Sequence, residues 1–238
     1  MLNYKLERFI LVILWVFLLC LFAILLPQEE VTTLIQYQYC CGTLTLAFII
    51  RCIYKAICIK ILENNIDKYI YNSNYEGALK YINKYLVKQP NLKILRYKKI
   101  IVCLLSGKIC DYNAAKLNLK TKKKKWLNKI RMADNIICFL TKSTVDRSIT
   151  YKDNTLLERV NYLICSNEEL SDEKVIELAL KLYDTPFLIY KVISAVILSL
   201  CYMKSGDILN QELFQNRALE NSPSAEISVL VENFFDFK

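Results

Sequence analysis

The densest run of functional groups in the chain is Lys120-Thr121-Lys122-Lys123-Lys124-Lys125-Trp126, continued by Lys129 and Arg131. Cations at this density suit a polyanion. Near an anionic inner leaflet each basic residue contributes about 1 kcal/mol, with Trp126 suited to the membrane–water interface. Nucleic-acid phosphates are a second target, disfavoured because aromatic residues do not alternate with the cations. A solvated basic stretch is the third reading. Elsewhere the reactive groups do not form sets. Histidine is absent, which removes imidazole base catalysis and the serine and cysteine nucleophile systems that depend on it. The ten cysteines occur as singles, apart from Cys40-Cys41, with no CxxC pair. They read as small buried hydrophobes in a reducing compartment rather than as a disulfide framework or zinc site. Neither a Gly-rich phosphate loop nor HExxH or GxSxG occurs. The pairs Glu168-Glu169 and Asp172-Glu173 lie where helices should start, so capping explains them. The expectation is a non-enzyme with no catalytic, cofactor or metal residues.

The elements that carry these groups follow from composition. A length of 238 residues allows one or two domains. Hydrophobic residues are 54% of the chain, yet Gly and Pro number only 4 each, too few for turn-rich sandwiches and barrels. The net charge of +9 is unevenly spread. Residues 1–60 hold 5 basic and 3 acidic residues, net +2; residues 61–132 hold 17 and 4, net +13; residues 133–238 hold 10 and 16, net −6.

Two segments are apolar enough to cross a bilayer. Residues 9–26 run eighteen residues without a charge, fifteen of them Leu, Ile, Val or Phe. At 1.5 Å per residue that is roughly 27 Å, near the hydrocarbon thickness. A cleaved signal peptide is the rival, but the run is long and LLPQEE offers no A-x-A-like cleavage site. Residues 37–54 form the second span, with tyrosines at both ends and Arg51 close enough to the end to snorkel. A helix lying flat on the surface is its alternative. Lys5 and Arg8 precede the first span, and Arg51, Lys55 and Lys60 mark the end of the second. The connecting stretch carries Glu29 and Glu30 and no basic residue. Positive charge on the inside then places both termini in the cytoplasm. Residues 1–57 are thus a membrane anchor, and 58–238 a cytoplasmic domain.

That domain reads as short helices. In the stretch NYEGALKYINKYLVKQP, Ala78, Ile82, Tyr85 and Leu86 share a face and Pro90 closes the unit. Tyr69 stands nine residues before Ala78. Near the C-terminus, Leu198, Ser199 and Tyr202 precede a Gly206-Asp207 turn, and Ala218 and Pro223 come after it. These spacings resemble the 34-residue tetratricopeptide (TPR) repeat. Departures are Asn65 and Ile66 in the first match, and Gln211 and Gln215 where small and aromatic residues are expected. The closing prolines lie 133 residues apart, close to four repeat periods. The resemblance implies an all-α fold: two N-terminal transmembrane helices followed by a TPR-like helical-hairpin array of roughly five pairs, from about 58 to 223. Its packing residues would be Tyr69, Ala78, Ile82, Tyr85, Pro90, Leu198, Tyr202, Ala218 and Pro223. An irregular bundle is the alternative. Helix signals include Leu92–Leu105 ended by Ser106-Gly107, the capping-box form Ser166-x-x-Glu169, Pro186 as a helix opener, and a terminal helix over Ser224–Phe235. Residues 186–203 carry only Lys191 and compete as a third span, although the repeat anchors favour a buried helix.

Arrays of this kind offer long faces to peptides and partner proteins. The resemblance therefore implies a membrane-anchored scaffold or adaptor for a protein partner at the cytoplasmic face of a cell membrane. Anionic lipid would be a further contact. An accessory subunit of a transport, secretion or immunity complex, held by its spans, is the other reading.

Overall fold

The structure is a computed structural model, and it describes residues 33–119, 121–122, 124–148, 155–166 and 173–236. The span expected over 9–26 lies outside these residues. Ten helices and no strand occur among them, so the chain is all-α there. The chain divides into two compact units, Met1–Asn65 and Ile66–Lys238.

Helix α1, Thr33–Tyr71, contains the second expected span and the first expected array helix without a break. Neither Gly nor Pro occurs between Gly42 and Gly77, so no residue favours a stop where the sequence reading placed a boundary near 57. In the first unit, Leu44, Leu46, Phe48, Ile49, Ile53, Ile57 and Ile61 are exposed.

Among the described residues the second unit holds the end of α1 and nine further helices. They are α2 (Tyr75–Lys88), α3 (Lys93–Leu105), α4 (Ile109–Leu117), α5 (Lys124–Leu140) and α6 (Leu156–Cys165). Next come α7 (Glu173–Tyr183), α8 (Leu188–Ser205), α9 (Ile208–Glu220) and α10 (Ala225–Phe235). Sequence neighbours pack together along α2–α3–α4 and along α5–α6–α7–α8–α9–α10. Longer-range packing joins α3 to α5 and α8, and α5 to α10.

Local signals set most boundaries. Asn74 caps α2, its side-chain oxygen accepting the Gly77 amide at 2.9 Å. Asp207 and Ser224 do the same for α9 and α10. Gly206 ends α8 in the left-handed region at φ 75°, which a residue without Cβ enters freely. Thr155 and Glu158 form a capping box that opens α6, whose apolar face is Leu157, Val160, Leu163 and Ile164, and the Ser166 amide donates to the Tyr162 carbonyl at its end. Glu169 of the expected Ser166-x-x-Glu169 box lies outside the described residues.

Helix α8 is the centre of the core. By length and composition alone it could cross a membrane, the one helix among the described residues that meets that test. Every residue from Val192 to Ser199 is buried, however, which means more than two turns covered on all sides. Each fully buried Val, Ile or Leu there contributes about 1.5–3 kcal/mol relative to exposure. The core also contains a polar clasp. Asn135 Nδ2 donates to Asn161 Oδ1 at 2.7 Å and to the Asp146 carbonyl at 2.9 Å, and Asn135 Oδ1 accepts the Asp146 amide at 2.8 Å. Both amides are buried and paired, tying the segment after α5 to α5 and α6.

Candidate partner-binding face

The end of α2 and the start of α3 build an open feature from residues of ordinary local function. Helix α2 finishes at Lys88, and Gln89 donates its amide to the Tyr85 carbonyl at 2.8 Å. Pro90 cannot continue the helix, and α3 begins three residues later. Between α2, α3 and α4 lies a cleft of about 200 Å³ lined by Leu86, Pro90, Arg96, Lys99, Ala115 and Asn118. Arg96 Nη1 donates to the Asn118 carbonyl at 2.7 Å, at the negative end of α4. Four guanidinium N–H groups remain after that bond. Lys99 is half-buried and has no carboxylate within 4 Å among the described residues. The neighbouring Lys98 is spent, pairing with Asp67 at 2.5 Å. Val87 and Leu117, adjoining lining residues, are 84% and 83% exposed. The arrangement can therefore hold an anionic group at Arg96 and Lys99, with apolar contacts from Leu86, Pro90 and Ala115.

Its surroundings are chemically quiet. Burial pushes the Cys103 thiol up to about 11, with Asp111 adding to that and two lysines opposing it, so the thiolate is scarce at neutral pH. Burial also raises the Cys165 and Cys201 thiols and the Tyr97 and Tyr112 hydroxyls. For Tyr112, Asp134 adds to the shift, accepting its hydroxyl at 2.8 Å and Lys116 Nζ at 2.6 Å. No group of three or more Cys, Asp or Glu side chains that could hold a metal comes together among the described residues.

Of the basic run, Lys120 and Lys123 and the side chain of Lys125 lie outside the described residues. Lys122 and Lys124 are exposed, and Lys129 is half-buried in α5. Trp126 stacks on Tyr97 of α3, with ring centroids 5.4 Å apart and planes 10° from parallel, so one face of the indole is committed to the domain. That contact was not legible in the run itself.

The nine expected packing residues lie in or directly after α1, α2, α8 and α9. Ala78 and Ile82 are fully buried, Tyr69 meets Tyr81 at 5.8 Å, and Tyr81 meets Tyr85 at 4.9 Å. Burial and the neighbouring Tyr81 push the half-buried Tyr85 hydroxyl up to about 12. Pro90 lines the cleft. In the hairpin of α8 and α9, Leu198 and Ala218 are fully buried, and Tyr202 stacks on Phe214 at 5.6 Å.

Pro223 sits at a junction that sequence reasoning missed. Gly107, at φ 69°, comes directly after α3 and its cap, and a Cβ there would meet Ser224 Oγ at 2.6 Å and Pro223 Cγ at 2.8 Å. Ser224 Oγ donates to the Gly107 carbonyl at 2.7 Å. Lys108 gives α4 no side-chain cap; instead Glu226 Oε2 accepts the amides of Ile109 and Cys110 at 2.9 and 3.1 Å. The C-terminal helix thus caps a helix more than a hundred residues upstream. Nearest-neighbour stacking alone does not contain such a contact. The Ser106-Gly107 stop was visible in sequence, but its partner had no local signal. No protein family, curated protein or solved structure matches this chain.

Proposed function

We propose that the chain is a membrane-anchored, non-catalytic scaffold or adaptor whose TPR-like helical domain holds a protein partner at the cytoplasmic face of a cell membrane. The observation that carries this is the cleft beside Pro90, where Arg96 and Lys99 line an open space together with Leu86, Pro90 and Ala115. An acidic segment with apolar residues fits that chemistry. The spacing of Tyr69, Ala78, Ile82, Tyr85 and Pro90, and of Leu198, Tyr202, Ala218 and Pro223, supports the repeat reading. In this proposal residues 9–26 and 37–54 are two spans, both termini are cytoplasmic, and the basic run around Lys122 and Lys124 meets anionic lipid. The exposed Leu44, Leu46, Phe48 and Ile49 support the second span. The test is mild-detergent purification with identification of co-purifying proteins, comparing the natural chain with Arg96→Glu/Lys99→Glu. A partner retained by the double variant removes the cleft from the proposal.

A second reading has its own observation. A Cβ placed on Gly42 would meet nothing within 4 Å, and exposed apolar residues lie beyond it in the helix. A small residue there lets a neighbouring helix approach closely. In this reading the chain is an accessory subunit of a transport, secretion or immunity complex, and its spans make the specific contacts.

A further inference from the structure

The exposed apolar residues of α1 change their arrangement along the helix. At roughly 100° per residue, Leu44, Leu46, Phe48 and Ile49 spread over an arc of roughly 200°, with buried Ala47 on the remaining side. Ile53, Ile57 and Ile61 differ. Each is more than half exposed, and their four-residue spacing keeps them within roughly 80° of one another on one side. Arg51 and Lys55, both exposed, lie roughly 160–200° from Ile53 on the opposite side. Lys60, also exposed, flanks the stripe, and no acidic residue occurs between Arg51 and Leu62. An apolar stripe with a cationic back is the pattern of a helix lying in the headgroup boundary, whereas an all-round apolar surface is that of a span.

The length agrees. Residues 37–61 would extend roughly 37 Å along a straight helix, longer than the roughly 30 Å hydrocarbon layer. The last turns therefore need a different environment from the first.

We propose that residues 53–61 carry the unbroken, tilted α1 from the second span through the headgroup boundary of an anionic phospholipid leaflet, with the isoleucine side turned toward the lipid. Ile53, Ile57 and Ile61 enter the acyl boundary, while Arg51, Lys55 and Lys60 reach headgroup phosphates. This rests on residues 37–54 being a span. The continuity of the exposed stripe with Leu46 and Ile49, and the cations beside it, argue for lipid as the occupant.

The test uses the full chain in liposomes, with the photo-reactive residue benzoylphenylalanine replacing Phe48, Lys55, Ile57 or Ile61 one at a time. Adducts are read by mass. Lipid adducts are expected at 48, 57 and 61, and few at 55. The yield at 57 and 61 should rise roughly fivefold from phosphatidylcholine to phosphatidylglycerol-rich vesicles, the gain from about one cation at an anionic surface. The yield at 48 should stay level. Lipid adducts at 48 but none at 57 and 61 would overturn the extension and leave the span intact. Protein adducts at 57 and 61, from a second copy or another chain, would also overturn it. Absence of adducts at 48 would overturn the span and the extension together, and equal yields in both lipids would overturn the role of the cations.

Discussion

Counting back from Pro90, α2 has Tyr85, Ile82 and Ala78 at the fifth, eighth and twelfth positions. Counting back from Pro223, α9, the second helix of the hairpin it makes with α8, has Ala218, Gln215 and Gln211 there. In α2 the two deeper positions, Ala78 and Ile82, are fully buried and Tyr85 is half-exposed. In α9 only Ala218 is buried, and both glutamines are half-exposed. Helix α9 compensates from outside its own pattern. The middle of its partner α8 is covered on all sides, Phe214 packs between Tyr183 and Tyr202, and Pro223 leads into the capped junction at Gly107. The two prolines also have different surroundings. Pro90 borders an open cationic cleft, whereas Pro223 abuts a closed contact. Similar spacing can therefore border an open cleft in one place and a closed contact in the other, according to what packs after the turn.

The largest expected separation of α2 and α9 is in their eighth positions. Ile82→Ala should cost about 2–5 kcal/mol, because it removes buried methyl groups and leaves a cavity. Gln215→Ala should stay within about 0.5 kcal/mol. Chemical denaturation of the full chain in detergent, monitored by helical circular dichroism, measures both. Comparable losses would mean that the glutamines carry packing their exposure does not suggest.

Next is the closed end. Gly107→Ala should cost about 1–3 kcal/mol from the positive φ, with the clash against Ser224 and Pro223 adding to it. Hydrogen exchange should accelerate in α10 and at the start of α4 while the amides of α2 stay protected. Uniform acceleration would show that the junction is not a local device. A smaller effect is expected for Glu226→Ala, about 0.5–1 kcal/mol, at the low end for capping because the carboxylate is exposed. It should appear first at the Ile109 and Cys110 amides.

The smallest effect depends on pH. Hydrogen bonds from the Asn210 side chain and amide hold the Asp207 carboxyl below the usual aspartate range. A depressed native pKa means the stabilisation is complete above the ordinary aspartate value and is lost as pH falls through the lowered one. Asp207→Ala should therefore flatten the acid limb of the stability profile slightly, with no effect on α2. An unchanged acid limb would remove Asp207 from the capping of α9.

Much of the helix punctuation was legible in sequence. Asn74, Ser106-Gly107, Gly206-Asp207 and Ser224 mark ends by chemistry confined to a few residues. The Thr155–Glu158 capping box and the apolar face after it are of the same local kind, although the sequence reading did not single them out. The cleft and the junction were not legible, because each joins residues distant in sequence. Arg96 meets Asn118 across 22 residues, and Glu226 meets Ile109 across 117. No local pattern encodes either pairing. Trp126 carried an interfacial expectation from its lysine neighbours, whereas its ring contact is set by Tyr97 on another helix.

The central claim is that the helical domain, through the face beside Pro90, holds the partner. It is tested most directly by exchanging residues 9–54 for an unrelated two-span hairpin and repeating the co-purification alongside Arg96→Glu/Lys99→Glu. The same partner should remain with the exchanged chain and be lost from the double variant. A partner that leaves with the natural spans and stays with the double variant would contradict the adaptor and identify a subunit held by its membrane helices.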